Sequence, residues 1–230
     1  MKRFERQTSL KEIGIEGQKK LYNAKVLIVG IGGLGSPISL YLAAAGVGKI
    51  GIVDADIVSE SNLQRQILYN DSHIGKKKVC VAKEQLEAVY PNINIEIYNT
   101  LFTKENALEI AKGYDIIIDG CDNNETRYLM DSVSKALKVP YIYGAISEFK
   151  GQVSVFNYKG GISYSDIFPQ SDNINSNTDI GVIGALPGIV GSIQAMEAIK
   201  IITSTGEVLQ NKLLTIDALT MDFTIFKVNL

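Results

Sequence analysis

A glycine-rich turn between two short apolar segments constrains the fold more than any other feature of this sequence. Lys25–Val29 is short, apolar and β-branched, which predicts a buried parallel strand. Directly after it comes the run Gly30-Ile31-Gly32-Gly33-Leu34-Gly35, called the glycine turn below, and a helix is predicted over residues 34–45. A second apolar segment, Lys49–Val53, follows. The four segments together predict a strand–helix–strand unit of a parallel sheet.

The alternation of strands and helices continues along the chain. Apolar residues spaced three and four apart predict an amphipathic helix over residues 75–90. Apolar runs predict strands at 93–97, 115–119, 140–145 and 152–158, and helical patterns occupy 104–112, 123–137 and 187–203. A long polar loop is predicted over 163–179, and a terminal antiparallel hairpin over 212–216 and 222–228.

The order of these segments predicts the fold class. We expect an α/β fold with a Rossmann-like, doubly wound, mostly parallel sheet and C-terminal antiparallel strands. No linker is long enough to divide the chain, so a single domain is predicted over residues 1–230. It comprises an N-terminal helical segment (1–24), a nucleotide-binding core (25–146) and a C-terminal part (147–230).

Composition and charge exclude several classes of function. The net charge of −2 provides no general basic field, so neither nucleic acid nor an anionic membrane is an expected partner. The N-terminus has no apolar signal core, and a cytoplasmic protein is expected. Cys80 and Cys121 are the two cysteines and His73 is the one histidine, which argues against a cysteine zinc site and a disulfide framework.

The glycine turn predicts a nucleotide phosphate at a helix N-terminus. Gly30, Gly32 and Gly35 match Gly-x-Gly-x-x-Gly between a strand and a helix, which permits a tight turn and close approach of phosphate. Asp54 ends the next strand, where a carboxylate can hold ribose hydroxyls. On these residues alone, an NAD-binding protein such as an NAD-linked oxidoreductase is the leading alternative, and a glycine turn that serves only packing is a less favoured one.

Cationic residues after the second strand shift the interpretation from NAD toward ATP. Arg65 lies in Asn62-Leu63-Gln64-Arg65-Gln66, and Lys78 follows Gly75. A triphosphate whose leaving group gains charge benefits from Arg and Lys contacts, so adenylation by ATP fits better than hydride transfer. Lys76 and Lys77 are better interpreted as a solvated charged surface.

Polar residues also close the fourth predicted strand. Asp119, Asp122 and Asn123 lie where an open α/β sheet binds its ligands, beyond the carboxyl ends of the strands. One carboxylate there can hold Mg²⁺ against phosphates. Helix capping by Asp122 or Asn123 is the alternative that the residues leave open.

Several motifs, in chain order, resemble those of the ThiF/MoeB/HesA family, the bacterial relatives of ubiquitin-activating enzymes. The resemblance spans nearly the whole chain, and the glycine turn combined with Asn-Leu-Gln-Arg-Gln is its most specific part. The motifs are Arg6-Gln7, Gly30 to Ser36, Asp54-x-Asp56, Ser61 to Gln66, Gly75-x-x-Lys78, Asp119-x-x-Asp122-Asn123, Gly151-Gln152 and Gln194 to Lys200.

The resemblance implies an activity and partners. ATP would adenylate the C-terminal glycine of a small ubiquitin-like sulfur carrier with a Gly-Gly tail, releasing pyrophosphate. A homodimer is implied, in which Arg6 of one subunit reaches the ATP of the other, and residues 147–230 bind the carrier and complete the dimer. The short zinc-free form favours a ThiS-type carrier for thiamine thiazole synthesis, with a MoaD-type carrier for molybdopterin synthesis as the alternative.

The resemblance also assigns roles to residues. It implies a catalytic set of Arg6, Arg65, Lys78 and Asp122, of which Asp122 organises Mg²⁺. The implied nucleotide-binding set is Gly30, Gly32, Gly33, Gly35, Asp54, Asp56, Asn62, Arg65, Gln66, Lys78, Asp122 and Asn123. The attacking carboxylate is already ionised near neutral pH and needs no general base, so His73 is expected at the surface or in a loop.

The sequence departs from the family pattern at its cysteines. Many members carry two Cys-x-x-Cys pairs for zinc, but residues 163–169 and 226–230 contain none, so no zinc site is expected. Relatives that handle sulfur place a cysteine shortly before Gly-Val-x-Gly, but residues 173–179 contain none. We therefore expect adenylation alone, with sulfur supplied by another protein.

Cys121 is a possible thiol near the phosphates, although a buried small residue is the favoured interpretation. Cys80 is expected in the core or half-buried.

Overall fold

The computed structural model describes residues 2–170 and 181–228. Eight strands occur in this part of the chain: β1 (Lys25–Val29), β2 (Lys49–Val53), β3 (Asn94–Tyr98), β4 (Ile116–Asp119), β5 (Tyr141–Ser147), β6 (Lys150–Phe156), β7 (Lys212–Asp217) and β8 (Asp222–Lys227). The helices are α1 (Glu5–Thr8), α2 (Gly14–Asn23), α3 (Gly35–Ala45), α4 (Lys78–Val89), α5 (Ala107–Ala111), α6 (Asn124–Leu137), α7 (Tyr164–Ile167) and α8 (Ala185–Thr203).

All eight strands form a single mixed sheet with the order β3-β2-β1-β4-β5-β6-β7-β8. The first five strands pair in parallel, and β6, β7 and β8 continue the sheet with antiparallel pairing. This arrangement confirms the predicted α/β fold. The chain leaves β1 toward β2 on one side and returns at β4 on the other, so a crevice opens at the carboxyl ends of β1 and β4.

Both faces of the sheet are covered because its parallel strands are apolar on both sides. Along β1, Val26 and Ile28 contact the apolar core under α2, α3, α4 and α8, whereas Leu27 and Val29 contact the core under α5, α6 and α7. The second core contains an aromatic group of Tyr141, Tyr143, Phe156, Tyr164 and Phe168. The two tyrosines of β5 therefore pack within the fold.

The longest helix in the described ranges, α8, begins two residues before the predicted start at Pro187. This helix has 19 residues and, judged by length and composition alone, is long and apolar enough to cross a membrane. Leu186, Val190 and Ala198 are nevertheless fully buried in the core of the domain. Gly191 permits close packing of α8 on α3, because a Cβ atom at this position would lie 2.6 Å from Cγ of Pro37.

Two predicted segments differ from the structure in physically informative ways. The helix predicted from Gly75 begins at Lys78, because Gly75 has a φ of +84° and Lys77 is extended. The predicted loop over 163–179 contains α7, whose first turn is held by the Asp166 carboxylate, which accepts from the Ser163 amide at 2.8 Å. Residues 171–179 of that loop lie outside the described residues.

Candidate nucleotide site at the carboxyl ends of β1 and β4

The glycine turn connects β1 to the N-terminus of α3 and is held by side chains from two other segments. The amide of Ile31 donates to Oδ2 of Asp54 at 2.9 Å, and its carbonyl accepts from the Tyr69 hydroxyl at 2.8 Å. Gly30 adopts a φ of +91°, which favours glycine. Both polar groups of the Ile31 residue are thus satisfied within the chain, leaving other amides of the turn available for an anion.

The end of β2 supplies two carboxylates with different surroundings. Besides the Ile31 amide, Asp54 accepts the amide of Asp56 at Oδ1, at 2.8 Å. Asp56 is exposed, and its Oδ2 lies 2.9 Å from the ammonium of Lys78. The structure therefore brings Asp54 to the glycine turn and pairs Asp56 with Lys78. The contacts of both carboxylates with nucleotide stay predictions.

Lys78 is the first residue of α4, and its side chain is buried although it carries a charge. Only 6% of the Lys78 side chain is exposed, against 68% for Asp56. The Tyr69 hydroxyl lies 3.5 Å from the Lys78 carbonyl and also contacts the glycine turn. An ammonium with one exposed carboxylate partner can exchange that partner for phosphate oxygens. Lys76 and Lys77 are exposed, as predicted.

The segment from Asn62 to Gln66 folds over the glycine turn. The Arg65 side chain lies beside Gly33, where an added Cβ would be 3.7 Å from Arg65 Cγ, and its guanidinium donates to the Ser61 carbonyl at 3.0 Å. The Asn62 side chain accepts the Ser59 amide and closes a 3₁₀ turn. Gln66 is buried behind Gly32, and its Oε1 has no partner among the described residues.

The N-terminus of α8 also lies at the glycine turn. Pro187 of α8 lies against Gly33, where an added Cβ would be 3.4 Å from the proline ring. Gly184, just before α8, is in backbone contact with Gln64. The N-termini of α3 and α8 therefore both lie at the turn, and their partial positive charges favour an anion there. The α8 contribution was missed from the sequence, although Pro near a helix start was a visible signal.

The end of β4 closes the other side of the crevice. Gly30 and Gly120 are in such close contact that a Cβ on Gly120 would lie 2.1 Å from the Gly30 carbonyl oxygen. Asp122 is exposed, whereas the Asn123 side chain caps α6 by accepting the Thr126 amide at 2.9 Å. Capping, the simpler alternative, is thus what the structure shows for Asn123, and its contact with nucleotide stays a prediction.

Asp119 takes no part in the exposed crevice. It is fully buried and binds Arg127 and the Tyr141 hydroxyl, at 3.1 and 2.9 Å. Although burial favours a neutral guanidine, the Asp119 carboxylate raises the pKa of Arg127 above its usual range. Of the carboxylates considered for Mg²⁺, Asp122 is therefore the one that remains accessible.

Arg6 is the one predicted catalytic residue that lies away from the others. It is exposed on α1, and the neighbouring Gln7 donates to the Ala45 carbonyl at 3.1 Å. Ala45 ends α3, whose other end is the glycine turn, so about 16 Å of helix separates them at 1.5 Å per residue. Within one chain, Arg6 is not brought to the site.

The thiols and the histidine are placed by the structure as follows. Cys80 is half-buried, as predicted. Burial, reinforced by the Asp119 carboxylate, raises the pKa of the Cys121 thiol well above its ordinary value. His73 was expected at the surface or in a loop; it is instead buried at the end of a short 3₁₀ helix, Asp71–His73, where its Nδ1 accepts the Asn70 amide at 3.2 Å.

A Mg²⁺ ion would have to be held largely by phosphates. Across residues 2–170 and 181–228, no group of three His, Cys, Asp or Glu side chains converges. Mg²⁺ in nucleotide sites is commonly bound by one or two carboxylates together with phosphate oxygens and water. The single exposed carboxylate of Asp122 fits that donor set.

Comparison with known proteins identifies the family and agrees with the fold. The ThiF family matches residues 4–230. A probable molybdopterin-synthase adenylyltransferase of Porphyra purpurea is 47% identical over 230 residues, covering 98% of this chain and 60% of that protein. A sulfur carrier protein adenylyltransferase of Thermus thermophilus is 42% identical over 229 residues, covering 96% of this chain and 84% of that protein. Against the first of these, the chain spans only about three fifths of the relative's length.

Solved structures agree on the fold. The crystal structure of E. coli MccB with MccA-N7isoASN superposes with a TM-score of 0.88 at 22% identity, covering 99% of this chain and 71% of that one. E. coli MccB with ATP gives a TM-score of 0.83 at 24% identity, covering 93% of this chain and 66% of that one. At these identities the likeness concerns the fold alone.

Proposed function

The chain belongs to the ThiF family, and we propose that it uses ATP to adenylate the C-terminal glycine of a small ubiquitin-like sulfur carrier, releasing pyrophosphate. The observation that carries the proposal is the pairing of cations with the glycine turn. Arg65 lies against Gly33, and the buried ammonium of Lys78 lies on the segment that Tyr69 connects to Ile31. Hydride transfer has no need for such cations, whereas departing pyrophosphate does.

The proposed chemistry needs positioning and charge neutralisation more than acid–base groups. A carboxylate oxygen of the carrier's last glycine attacks the α-phosphorus of ATP, and a carbon–oxygen–phosphorus linkage forms. The bond from the α-phosphorus to the bridging oxygen breaks, and its electron pair leaves with pyrophosphate. The glycine turn binds phosphate through amides, and Arg65 and Lys78 balance the charge that develops. Bound Mg²⁺, held by Asp122, would supply further positive charge.

Two carrier types remain to be distinguished by experiment. The compact sequence favoured a ThiS-type carrier of thiamine thiazole synthesis. The relative from Porphyra purpurea, named a probable molybdopterin-synthase adenylyltransferase, is 47% identical and favours a MoaD-type carrier. We therefore propose that both carriers be tested, with the MoaD-type carrier first.

We propose a homodimer in which Arg6 acts on the partner's nucleotide. Its distance from the glycine turn of its own chain supports this arrangement. An open groove of about 300 Å³ between α3 and α8 also supports it, because the groove includes Gln7 and the exposed side chains of Tyr41 and Met196. A second copy covering these apolar side chains would bring the N-terminal segments of both chains into the interface.

We propose that sulfur is supplied by another protein after adenylation. The raised pKa of Cys121 keeps its sulfur protonated, and a protonated thiol is a poor nucleophile. Cys80 lies on α4 and packs against the core. Neither the Cys80 thiol nor the Cys121 thiol is therefore suited to attack the acyl adenylate.

The decisive experiment is ATP–pyrophosphate exchange with purified MoaD-type and ThiS-type carriers. Exchange that requires a carrier ending in Gly-Gly is the expected result, and a carrier lacking its last glycine is the control. Thermal stabilisation by Mg·ATP but not by NAD is expected in parallel, since a ligand that binds the native state raises its apparent stability. Absence of exchange with both carriers would overturn the proposed activity, and stabilisation by NAD would support the oxidoreductase alternative.

A further inference from the structure

Arg127 holds the segment that presents Asp122, although it was not among the predicted site residues. It lies near the start of α6, and its guanidinium makes three hydrogen bonds that span the end of β4. Nε donates to Asp119 Oδ2 at 3.1 Å, Nη2 to the Cys121 carbonyl at 3.2 Å, and Nη1 to the Asn124 side chain at 3.0 Å. Its side chain is 11% exposed, so these contacts are shielded from water.

Together, Asp119 and Arg127 fix the peptide groups on both sides of Cys121. The Cys121 amide donates to Asp119 Oδ1 at 3.0 Å, and the Cys121 carbonyl accepts from Arg127. Cys121 immediately precedes Asp122, so the second of these peptide groups is the one that enters Asp122. On the other side, the Asn123 side chain caps α6 through Thr126. The exposed carboxylate of Asp122 therefore extends from a backbone that is held before and after it.

The energetics favour a geometric role for this ion pair over a stabilising one. A buried ion pair gains little net stability, because desolvation of both charges offsets their attraction. A guanidinium, however, holds several acceptors in one plane through a rigid fork, which an ammonium cannot do. The Tyr143 ring lies 5.6 Å from the guanidinium, and the Tyr141 hydroxyl fixes Asp119 at 2.9 Å. Both partners of the pair are thus held in a single arrangement.

We propose that Arg127 is a positioning residue whose contacts with Asp119 and Cys121 set the location of the Asp122 carboxylate relative to the nucleotide phosphates. This inference rests on the proposed adenylation activity. It assigns Arg127 no contact with ATP or with the carrier. Its effect passes through Asp122 and through the metal that Asp122 would hold.

The test combines Arg127→Lys with Asp122→Asn. Arg127→Lys keeps the charge but reaches fewer acceptors, so exchange should fall about tenfold and the Mg²⁺ concentration for half-maximal rate should rise, as for residues that orient metal ligands. The KM for carrier should be unchanged. In the Asp122→Asn background, Arg127→Lys should cause little further loss, because both changes act on one group. Multiplicative losses, or no loss from Arg127→Lys alone, would overturn the proposal.

A matched control is available on the opposite side of the domain. Arg3 also donates to a carbonyl, that of Val89 at 2.8 Å, and lies 5.3 Å from the Tyr90 ring, but it is exposed. Arg3→Lys makes the same chemical change and should alter neither the exchange rate nor the Mg²⁺ dependence. An equal effect of both substitutions would show that a general loss of arginine contacts, and not the position of Asp122, explains the result.

Nucleotide binding gives a readout that does not depend on turnover. ATP with Mg²⁺ should stabilise the wild-type protein more than ATP with chelator, and Arg127→Lys should reduce the difference while keeping stabilisation by ATP alone. If Arg127→Lys does not fold, the neutral pair Asp119→Asn with Arg127→Gln takes its place in the same measurement. If the wild-type protein shows no exchange activity, the proposed function is refuted. If the effect of Mg²⁺ on stability is unchanged in the variant, only the role of Arg127 is refuted.

Discussion

Gly30 and Gly120 lie back to back where β1 and β4 end, and neither position has room for a side chain. A Cβ on Gly30 would lie 2.5 Å from the Gly120 carbonyl oxygen, and one on Gly120 would lie 2.1 Å from the Gly30 carbonyl oxygen. The two backbones therefore meet directly under the crevice that holds the glycine turn. Their separation fixes the distance between the glycine turn and the segment that carries Asp122.

Gly120→Ala is expected to destabilise the domain, because the added methyl group must displace backbone atoms and not flexible side chains. Overpacking of this kind costs about 1–3 kcal/mol of unfolding free energy. Gly188→Ala is the control, since nothing lies within 4 Å of a Cβ at this helical position, and it should be neutral or stabilising by about 0.5–1 kcal/mol. Urea denaturation of both variants measures the difference, and equal stabilities would contradict the packing argument.

Lys78→Met should abolish most carrier-dependent exchange while the protein remains folded. The substitution keeps an apolar stem in the buried position but removes the ammonium that would neutralise departing pyrophosphate, and a loss of about 100-fold or more is expected. Lys76→Met, on the exposed neighbour, should retain near wild-type exchange. Rates of pyrophosphate exchange at saturating ATP provide the measurement, and similar rates for the two variants would exclude a catalytic role for Lys78.

Tyr69→Phe should weaken ATP binding with a smaller effect on the rate at saturation. The variant leaves the Ile31 carbonyl without its hydroxyl donor, which costs about 1–3 kcal/mol and loosens the glycine turn in substrate and transition state alike. Tyr22→Phe, at a tyrosine that is 59% exposed, is the control. Steady-state kinetics at varied ATP should show a raised KM. A fall in kcat with unchanged KM would indicate a different role.

The sequence predicted local patterns better than contacts between distant segments. The β1–α3–β2 unit and most of the strands followed from apolar runs and glycine positions, so the edge of the sheet at which the crevice lies was predictable. The contact of Tyr69 with Ile31 spans 38 positions and follows no short motif. Arg127 was missed for the same reason, since a helical arginine carries no sign of a buried partner.

Side chains whose roles depend on competition between neighbours were also hard to predict. Asp56 and Lys78 both fitted a phosphate site, but their mutual ion pair appears only when the loop after β2 folds back on α4. Asn123 fitted either capping or nucleotide binding, and the position of the Thr126 amide decided for capping. The alternative roles of these side chains differ in hydrogen-bond geometry, which the amino-acid sequence does not specify by itself.

Cys121 should react slowly with alkylating reagents despite its place beside the crevice. Because burial and the Asp119 carboxylate raise the pKa of its thiol, the reactive thiolate stays scarce, and the alkylation rate should still be rising without a plateau at about pH 9. Iodoacetamide labelling followed by peptide mass spectrometry measures this rate, with unfolded protein as the reference. Cys121→Ser should retain exchange. A plateau near neutral pH would instead indicate an activated thiol.

The proposed action of Arg6 across a dimer can be tested by mixing two inactive variants. Arg6→Ala lacks the residue donated to the partner's site, and Lys78→Met lacks a residue of its own site. In a mixed dimer, one of the two sites then has both Arg6 and Lys78. After exchange of subunits at equal amounts, half of the dimers are mixed, so about one quarter of wild-type exchange activity should return.

Each variant alone should remain nearly inactive at the same total concentration, which gives the background for the mixture. Arg3→Ala mixed with Lys78→Met offers a second control, because Arg3→Ala has complete sites and should lose activity only in proportion to its dilution. If mass spectrometry shows that Arg6→Ala and Lys78→Met have exchanged subunits but the mixture recovers no exchange activity, Arg6 acts within its own chain. The N-terminal segment would then have to move by about the length of α3 to reach the glycine turn.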